Sequence, residues 1–191
     1  MNMHVDRTML RFDKGDTRFN CRSAAVIIEE GHVLLHQVVG DDFWALPGGR
    51  VEFFEFSSDT VGRELLEELG LHVEVVRPLW IVENFFTFEG THFHELGHYF
   101  LTKVRASKPF DFEREFMGVE ADVNLLFKWF NVDHLQGVEL QPKFLRLGLA
   151  NIPEHLCHEL VNELDPALGG APAQAACASS SPRVATGDKL H

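Results

Sequence analysis

Cysteine is scarce in this chain: three in 191 residues, at positions 21, 157 and 177. Three scattered cysteines provide neither a disulfide framework nor the paired spacing of a zinc site, which points to a reducing, cytoplasmic compartment. Long apolar runs are missing too. No stretch approaches the ~20 residues that span a bilayer, and Met1 to Leu10 lacks the uninterrupted apolar core of a secretory signal. Positive charge is short, with 17 Lys and Arg against 29 Asp and Glu, a formal charge of −12. That balance argues against nucleic acid or an anionic membrane as partner. A small phosphorylated substrate remains compatible, because a few local cations or a bound metal offset a negative field.

What is present is ordinary for a globular chain: 45% hydrophobic and 24% charged residues, and length for one domain with a real core. Residues 1–17 read as a polar lead-in or edge strand. Ser23–Ile28 and His32–Gln37, around Glu29-Glu30-Gly31, read as a β-hairpin. Pro47-Gly48-Gly49 breaks the chain, and Ser57–Leu69 reads as a helix capped by Ser57 or Ser58 and stopped by Gly70. Strand-like segments follow at Leu71–Val76 and Leu79–Val82. Phe85–Phe88 and His98–Val104 flank a turn at Glu89-Gly90, and Phe127–Phe130 reads as a last strand. A helical covering region is expected from Asp133 to about Leu164, and from Asp165 the Ala, Ser, Pro and Gly composition reads as a disordered tail over 165–191. The mixed order predicts an α/β or α+β sandwich.

The informative segment runs from Gly49 to Leu71. At ~100° per residue, Glu64, Glu67 and Glu68 share one arc of the helix, while Val61, Leu65, Leu66 and Leu69 form the adjoining, core-facing arc. A solvated acidic face is the bland reading. Against it, like charges three and four residues apart repel, and the last helical turn favours cations. Arg63 offsets only part of the charge, through Glu67, Asp59 or Glu55. A divalent cation removes both penalties, and an all-oxygen, acidic donor set on a rigid element suits Mg²⁺, with Mn²⁺ as the alternative. The Gly-Gly loop just upstream lets backbone approach the same ion. This constellation points to metal-assisted attack of water on a phosphoanhydride.

Gly49, five residues, Glu55, seven residues, then Arg63-Glu64-Leu65-any-Glu67-Glu68-any-Gly70-Leu71 resembles the Nudix box at all nine defined positions over 23 residues. The Leu46-Pro-Gly-Gly49 entry and the Phe127–Phe130 strand are also similar to that family. The resemblance implies a Nudix-type α/β/α sandwich with a mixed β-sheet, a catalytic loop-helix-loop, and a hydrolase domain over 18–164. It implies a Mg²⁺-dependent pyrophosphohydrolase acting on a nucleotide or a nucleoside diphosphate linked to another moiety. Carried onto this sequence, Glu64 and Glu68 would be the primary metal ligands, with Glu67 assisting and a candidate for deprotonating water. The Gly49 carbonyl would be a further ligand, and Glu55 and Arg63 would pair to hold the loop against the helix. The general base often lies outside the box, and Glu120 is the candidate here. Phe54 departs from the glycine common at its position, and Gly62 lies inside the helix. The aromatic and proline signatures of known substrate subclasses are not at their distances, so the substrate stays open, as does homodimer formation.

His94-Glu95-Leu96-Gly97-His98 matches the H-E-x-x-H pattern of zinc proteases. That chemistry requires a helix, whereas the flanks here are rich in β-formers and Gly97 lies within, so a strand is expected instead, with His92, His94 or His98 near a cleft. The second functional class to weigh is a Nudix-fold binding or regulatory module without hydrolysis. Such domains usually lose box glutamates, and all are present here.

Overall fold

A computed structural model describes residues 8–105, 110–120, 124–164 and 174–175. In chain order the strands are β1 (Arg11–Lys14), β2 (Thr17–Val26), β3 (Ile28–Glu29), β4 (His32–Val38), β5 (Gly48–Arg50), β6 (Val73–Phe88), β7 (Thr91–Val104), β8 (Phe116–Met117), β9 (Leu125–Asn131), β10 (Cys157–Asn162) and β11 (Gln174–Ala175). Helix α1 (Ser57–Leu69) separates β5 from β6, and a 3₁₀ helix (Val132–Gly137) and the one-turn α2 (Leu145–Gly148) separate β9 from β10. The larger sheet has the order β1-β2-β7-β6-β10-β11, with β5 also on β2, and the smaller has the order β3-β4-β9-β8. The larger sheet is mixed: β2 runs parallel to β7 and β10 parallel to β6, while β6 and β7 are antiparallel.

Alternate residues of β2 enter different cores. Ala24 and Val26 join a cluster with Leu35, Leu46, Leu79, Trp80, Val82 and Tyr99. Ala25 and Ile27 join Leu34, Val61, Leu65, Phe100 and Phe127. A strand covered on both faces has no polar side to show, which is why Ala24–Ile28 reads as one continuous apolar run. It follows that the expected hairpin of Ser23–Ile28 with His32–Gln37 is only partly formed. β2 pairs with β7, and only Ile28–Glu29 turn back onto β4. The turn itself is tight, with Glu30 at φ 46° and Gly31 at φ 75°, the primed-turn geometry that matches strand twist.

Leu71–Val76, Leu79–Val82 and Phe85–Phe88 fuse into the single strand β6, whose register shifts between Val75 and Arg77 and between Pro78 and Trp80 absorb the proline. Glu89 and Gly90, both at positive φ, connect it to β7. His94–His98 lies within β7, so the zinc-protease pattern fails its own structural requirement.

The helical region expected from Asp133 to Leu164 is not a helix. Only the 3₁₀ segment and the single turn of α2 are helical, and Cys157–Asn162 adds as strand β10 beside β6. Pro142 and Pro153 bracket the helical turn, and the sheet edge supplies β10 with hydrogen bonds that local sequence does not announce. Of the tail expected to be disordered, Gln174–Ala175 pairs with β10; the rest lies outside the described residues, as does 1–7 of the lead-in. Cys21 is free and buried, whereas Cys157 is disulfide-bonded. This corrects the expectation that the scattered cysteines form no disulfide framework. Among the described residues no helix is long and apolar enough to cross a membrane.

Candidate active site

Helix α1 is placed by Val61 and Leu65, both fully buried, while Leu66, expected on the core arc, is 44% exposed. The residue one turn beyond Val61 and Leu65 on the buried stripe is Glu68, at 5% exposure. The helix therefore carries a carboxylate into the interior at a position where periodicity calls for an apolar residue. At its start the chain is extended at Phe56, and neither Ser57 nor Ser58 makes the expected side-chain cap. Both serines are already inside the helix, and the Glu55 carboxylate takes the polar contacts at this end. At the other end Gly70, at φ 66°, closes the helix with its N–H on Leu66 O, and Leu71 N–H bonds Leu65 O.

Arg63 organises the loop ahead of the helix. Its Nε and Nη2 donate to Glu55 Oε1 and Oε2 at 2.8 and 3.0 Å, its Nη1 to Glu64 Oε1 and Glu67 Oε2 at 2.8 and 3.0 Å, and its Nη2 to Arg50 O at 3.1 Å. Asp59, the third expected partner, makes no hydrogen bond or ion pair with Arg63. Glu55 also accepts from Glu52 N–H and Thr60 Oγ1 at 3.1 and 2.8 Å. Burial opposes its charge, but the bonds from Arg63, Glu52 and Thr60 outweigh this and hold its carboxyl below the usual range. Phe54, at φ 65° and with its ring in solvent, occupies the left-handed conformation in which a glycine is more comfortable.

Glu64 and Glu68 converge on one dipeptide. A Cβ at Gly49 would overlap the Glu64 carboxylate, and Gly48 N–H is directed at the Glu68 carboxyl group. Gly48 itself, at φ 138°, leaves no room for a side chain against Ser23 O. Burial raises the Glu64 carboxyl, opposed by Arg63 and Arg22. Burial pushes Glu68 up to about 8, opposed by Arg22 and reinforced by Glu64 and Glu120. Glu68 Oε2 has no hydrogen-bond partner. Glu67 is more exposed, with its side chain at 41%, and is held by Arg63.

Glu120 lies in an exposed loop that returns to the end of α1, where Val119 N–H donates to Glu68 O at 2.7 Å. The structure thus brings together Gly49, Glu55, Arg63, Glu64, Glu67 and Glu68, and sets Glu120 close enough to act on Glu68. Among the described residues no three His, Cys, Asp or Glu side chains form a ready-made metal cage. Mg²⁺ keeps several waters and takes one or two carboxylates plus substrate phosphates. The buried, unpartnered oxygen of Glu68, the glycine backbone open to Glu64 and an all-oxygen donor set fit such an ion.

Two contributors were not singled out by sequence. His36, on β4, places Nδ1 3.9 Å from Glu68 Oε2. Arg22, on β2, donates to Leu46 O at 3.1 Å and acts electrostatically on both Glu64 and Glu68. A signal was available for Arg22: Arg18, Asn20 and Arg22 alternate with Phe19 and Cys21 along the strand.

A family model described as NUDIX domain matches residues 20–148. Among solved structures, the chain is similar to an ADP-ribose pyrophosphatase from Streptococcus suis 89-1591, with 22% identity, TM-score 0.50, and coverage of 75% of this chain and 98% of that one. It is similar to a MutT NUDIX hydrolase from Burkholderia pseudomallei at 25% identity and TM-score 0.50, over 71% and 98% of the two chains. A MutT protein from Bacillus halodurans aligns at 18% identity and TM-score 0.52, over 75% and 91%.

Proposed function

The chain belongs to the Nudix family, whose members are generally hydrolases of diphosphate-linked substrates, and we propose that it is a Mg²⁺-dependent pyrophosphohydrolase of a nucleotide or nucleoside-diphosphate-linked substrate. The observation that carries this reading is the meeting of Glu64 and Glu68 at Gly48-Gly49, with one buried carboxylate oxygen unpartnered. A structural helix has no use for that arrangement, which costs about 1–3 kcal/mol for the unmet oxygen alone.

In this reading Glu64, Glu68 and the Gly49 carbonyl hold the divalent cation, with Glu67 assisting. When bound, the cation supplies neutralisation of phosphate charge and a more acidic water. Glu55 and Arg63 lock the loop against α1, so that the Gly49 carbonyl keeps its aim. Arg22 adds positive charge beside the carboxylates and faces the phosphate chain. Glu67 is occupied by the hydrogen bond from Arg63, so Glu120 is the residue we assign to accept the proton of the attacking water at its carboxylate. Turnover of a panel with and without Mg²⁺ tests the reading. ADP-ribose, NADH, diadenosine polyphosphates, and normal and oxidised nucleoside triphosphates make up the panel. Mg²⁺-dependent cleavage of at least one is expected; no cleavage by folded, metal-loaded protein would contradict it.

A further inference from the structure

The turn between β5 and α1 ends in a knob of aromatic rings. Phe53, Phe54 and Phe56 are 53%, 104% and 78% exposed, and the rings of Phe53 and Phe54 lie 6.2 Å apart. Phe54 stands at φ 65°, a backbone conformation that disfavours any Cβ. The turn is nevertheless fixed. Glu55 N–H donates to Glu52 O at 3.2 Å, Glu52 N–H to the Glu55 carboxylate at 3.1 Å, and Phe53 N–H to Thr8 O at 2.9 Å. The Glu55 carboxylate is turned inward to Arg63, so the tip that remains outside is apolar. Clustered exposed rings of this kind mark an interaction surface rather than a fold requirement.

An aromatic-walled cavity opens to solvent a short way along the same edge of the sheet. Phe12, Lys14, Thr17, Phe19 and His94 line its volume of about 540 Å³. Phe12 stacks on Phe19 at 5.2 Å and His94 meets Phe19 edge-on at 5.6 Å, which leaves Phe12 64% exposed. A cavity of about 150 Å³ holds one benzene ring, so this one has room for the rings of both Phe53 and Phe54. Thr8, which accepts from Phe53, precedes Phe12 by four residues, a reach of at most about 13 Å. Knob and cavity are therefore neighbours, yet the fixed turn points its rings into solvent and not into the cavity of its own chain. Lys14 on the cavity wall and Asp59, in the first helical turn behind the knob, make no ion pair among the described residues. The cavity thus carries a spare positive charge and the knob a spare negative one.

We propose that two copies of the chain associate through this edge, the Phe53–Phe54 knob of each entering the Phe12–Phe19–His94 cavity of the other. β1 ends the larger sheet and all four of its residues are exposed, so the edge is open to a partner. About a two-fold axis the two edges run antiparallel and both knobs dock at once, which gives a closed pair rather than a growing chain. The exposed parts of Phe12, Phe53, Phe54 and Phe56 amount to about three whole side chains, on the order of 450–750 Å². One partner in a stable contact buries about 800 Å², so these rings supply a large part of what a dimer needs. Because the turn is already pinned, its backbone loses little freedom on docking. Lys14 of each copy meets Asp59 of the other. The proposal stands apart from the hydrolase reading and needs no metal.

Sedimentation velocity of the full chain from about 1 to 100 μM tests this, with a reversible dimer of micromolar Kd expected. Phe54→Gly removes the knob and suits φ 65°, so the fold is kept while dimerisation weakens about 30-fold or more. Thr17→Trp fills the cavity from its wall and weakens dimerisation to a similar degree. Circular dichroism confirms that both variants are folded. An equimolar mixture of the two then associates about tenfold or more tighter than either alone, because the knob of the Thr17→Trp copy still fits the open cavity of the Phe54→Gly copy. Wild type that is monomeric throughout, a dimer that either variant leaves intact, or a mixture no tighter than its components would overturn the proposal. Growth into longer assemblies would overturn the two-fold arrangement. Monomeric wild type that binds phosphatidylcholine vesicles through Phe54 would also overturn it, and would assign the knob to a lipid surface.

Discussion

His36 Nδ1 stands 3.9 Å from Glu68 Oε2, and neither atom has a hydrogen-bond partner. The pair has the spacing of a loose ion bridge, yet burial drives both groups toward neutrality. His36 is held down to about 3 by burial, with Arg22 adding to it, and Glu68 is pushed up to about 8 by burial. Two uncharged groups at this distance attract little, and the arrangement leaves Glu68 ready to ionise when a positive charge arrives.

The pH dependence of stability follows from those directions. The Glu68 carboxyl is raised above its ordinary 4.5, so its contribution is complete below that value and is lost as pH rises through about 8. His36 is depressed below its ordinary 6.5, so its contribution is present above that value and is lost as pH falls toward about 3. Metal-free protein is therefore expected to melt highest between about pH 5 and 7. Saturating Mg²⁺ should flatten the alkaline limb, and Glu68→Gln should abolish it. A melting profile that Mg²⁺ leaves unchanged at pH 8.5 would contradict this account.

Gly49→Ala places a Cβ onto the Glu64 carboxylate, which is the movable end of a side chain. The fold should absorb it, while the displaced carboxylate lowers kcat about 100-fold, the scale expected of an ångström of misplacement. Gly48→Ala, by contrast, drives a Cβ into backbone at φ 138° and should lower the melting temperature. Thermal melts and steady-state kinetics of the two variants separate the roles. Equal loss of stability in both would contradict the distinction.

Arg63 and Glu55 are each 15% exposed and joined by two short bonds. Arg63→Ala is expected to cost about 1–3 kcal/mol in urea unfolding, between the values for exposed and buried pairs. Arg63→Lys should recover little of this, because an ammonium cannot make the two parallel bonds and also reach Glu64, Glu67 and Arg50 O. Full recovery with lysine would show that charge alone matters here.

The helix and its carboxylates were legible in the sequence because both signals are local. The apolar spacing of Val61 and Leu65, the Gly70 stop and the box spacing all lie within one short segment. The spacing sets Glu68 on the acidic arc beside the core-facing one; its burial with Val61 and Leu65 depends on Leu66 turning outward, which periodicity alone does not decide. The non-local features were harder. β10 forms because β6 offers a parallel edge some 75 residues earlier in the chain, and the apolar run around Leu145 misleads toward a longer helix. Arg22 and His36 became visible as neighbours of the site only when β2 and β4 were brought beside α1.

The most direct test of the central claim compares wild type with Glu64→Gln on the best substrate of the panel, measuring turnover and substrate binding together. The substitution keeps the shape of the side chain and removes one anionic oxygen from the pair that meets at Gly48-Gly49. The account predicts that kcat falls by about 100-fold or more while the substrate still binds within about threefold of wild type. Turnover unchanged in Glu64→Gln, or wild-type protein that binds nucleotide tightly and cleaves nothing, would contradict it, and the latter result would mark the chain as a binding module.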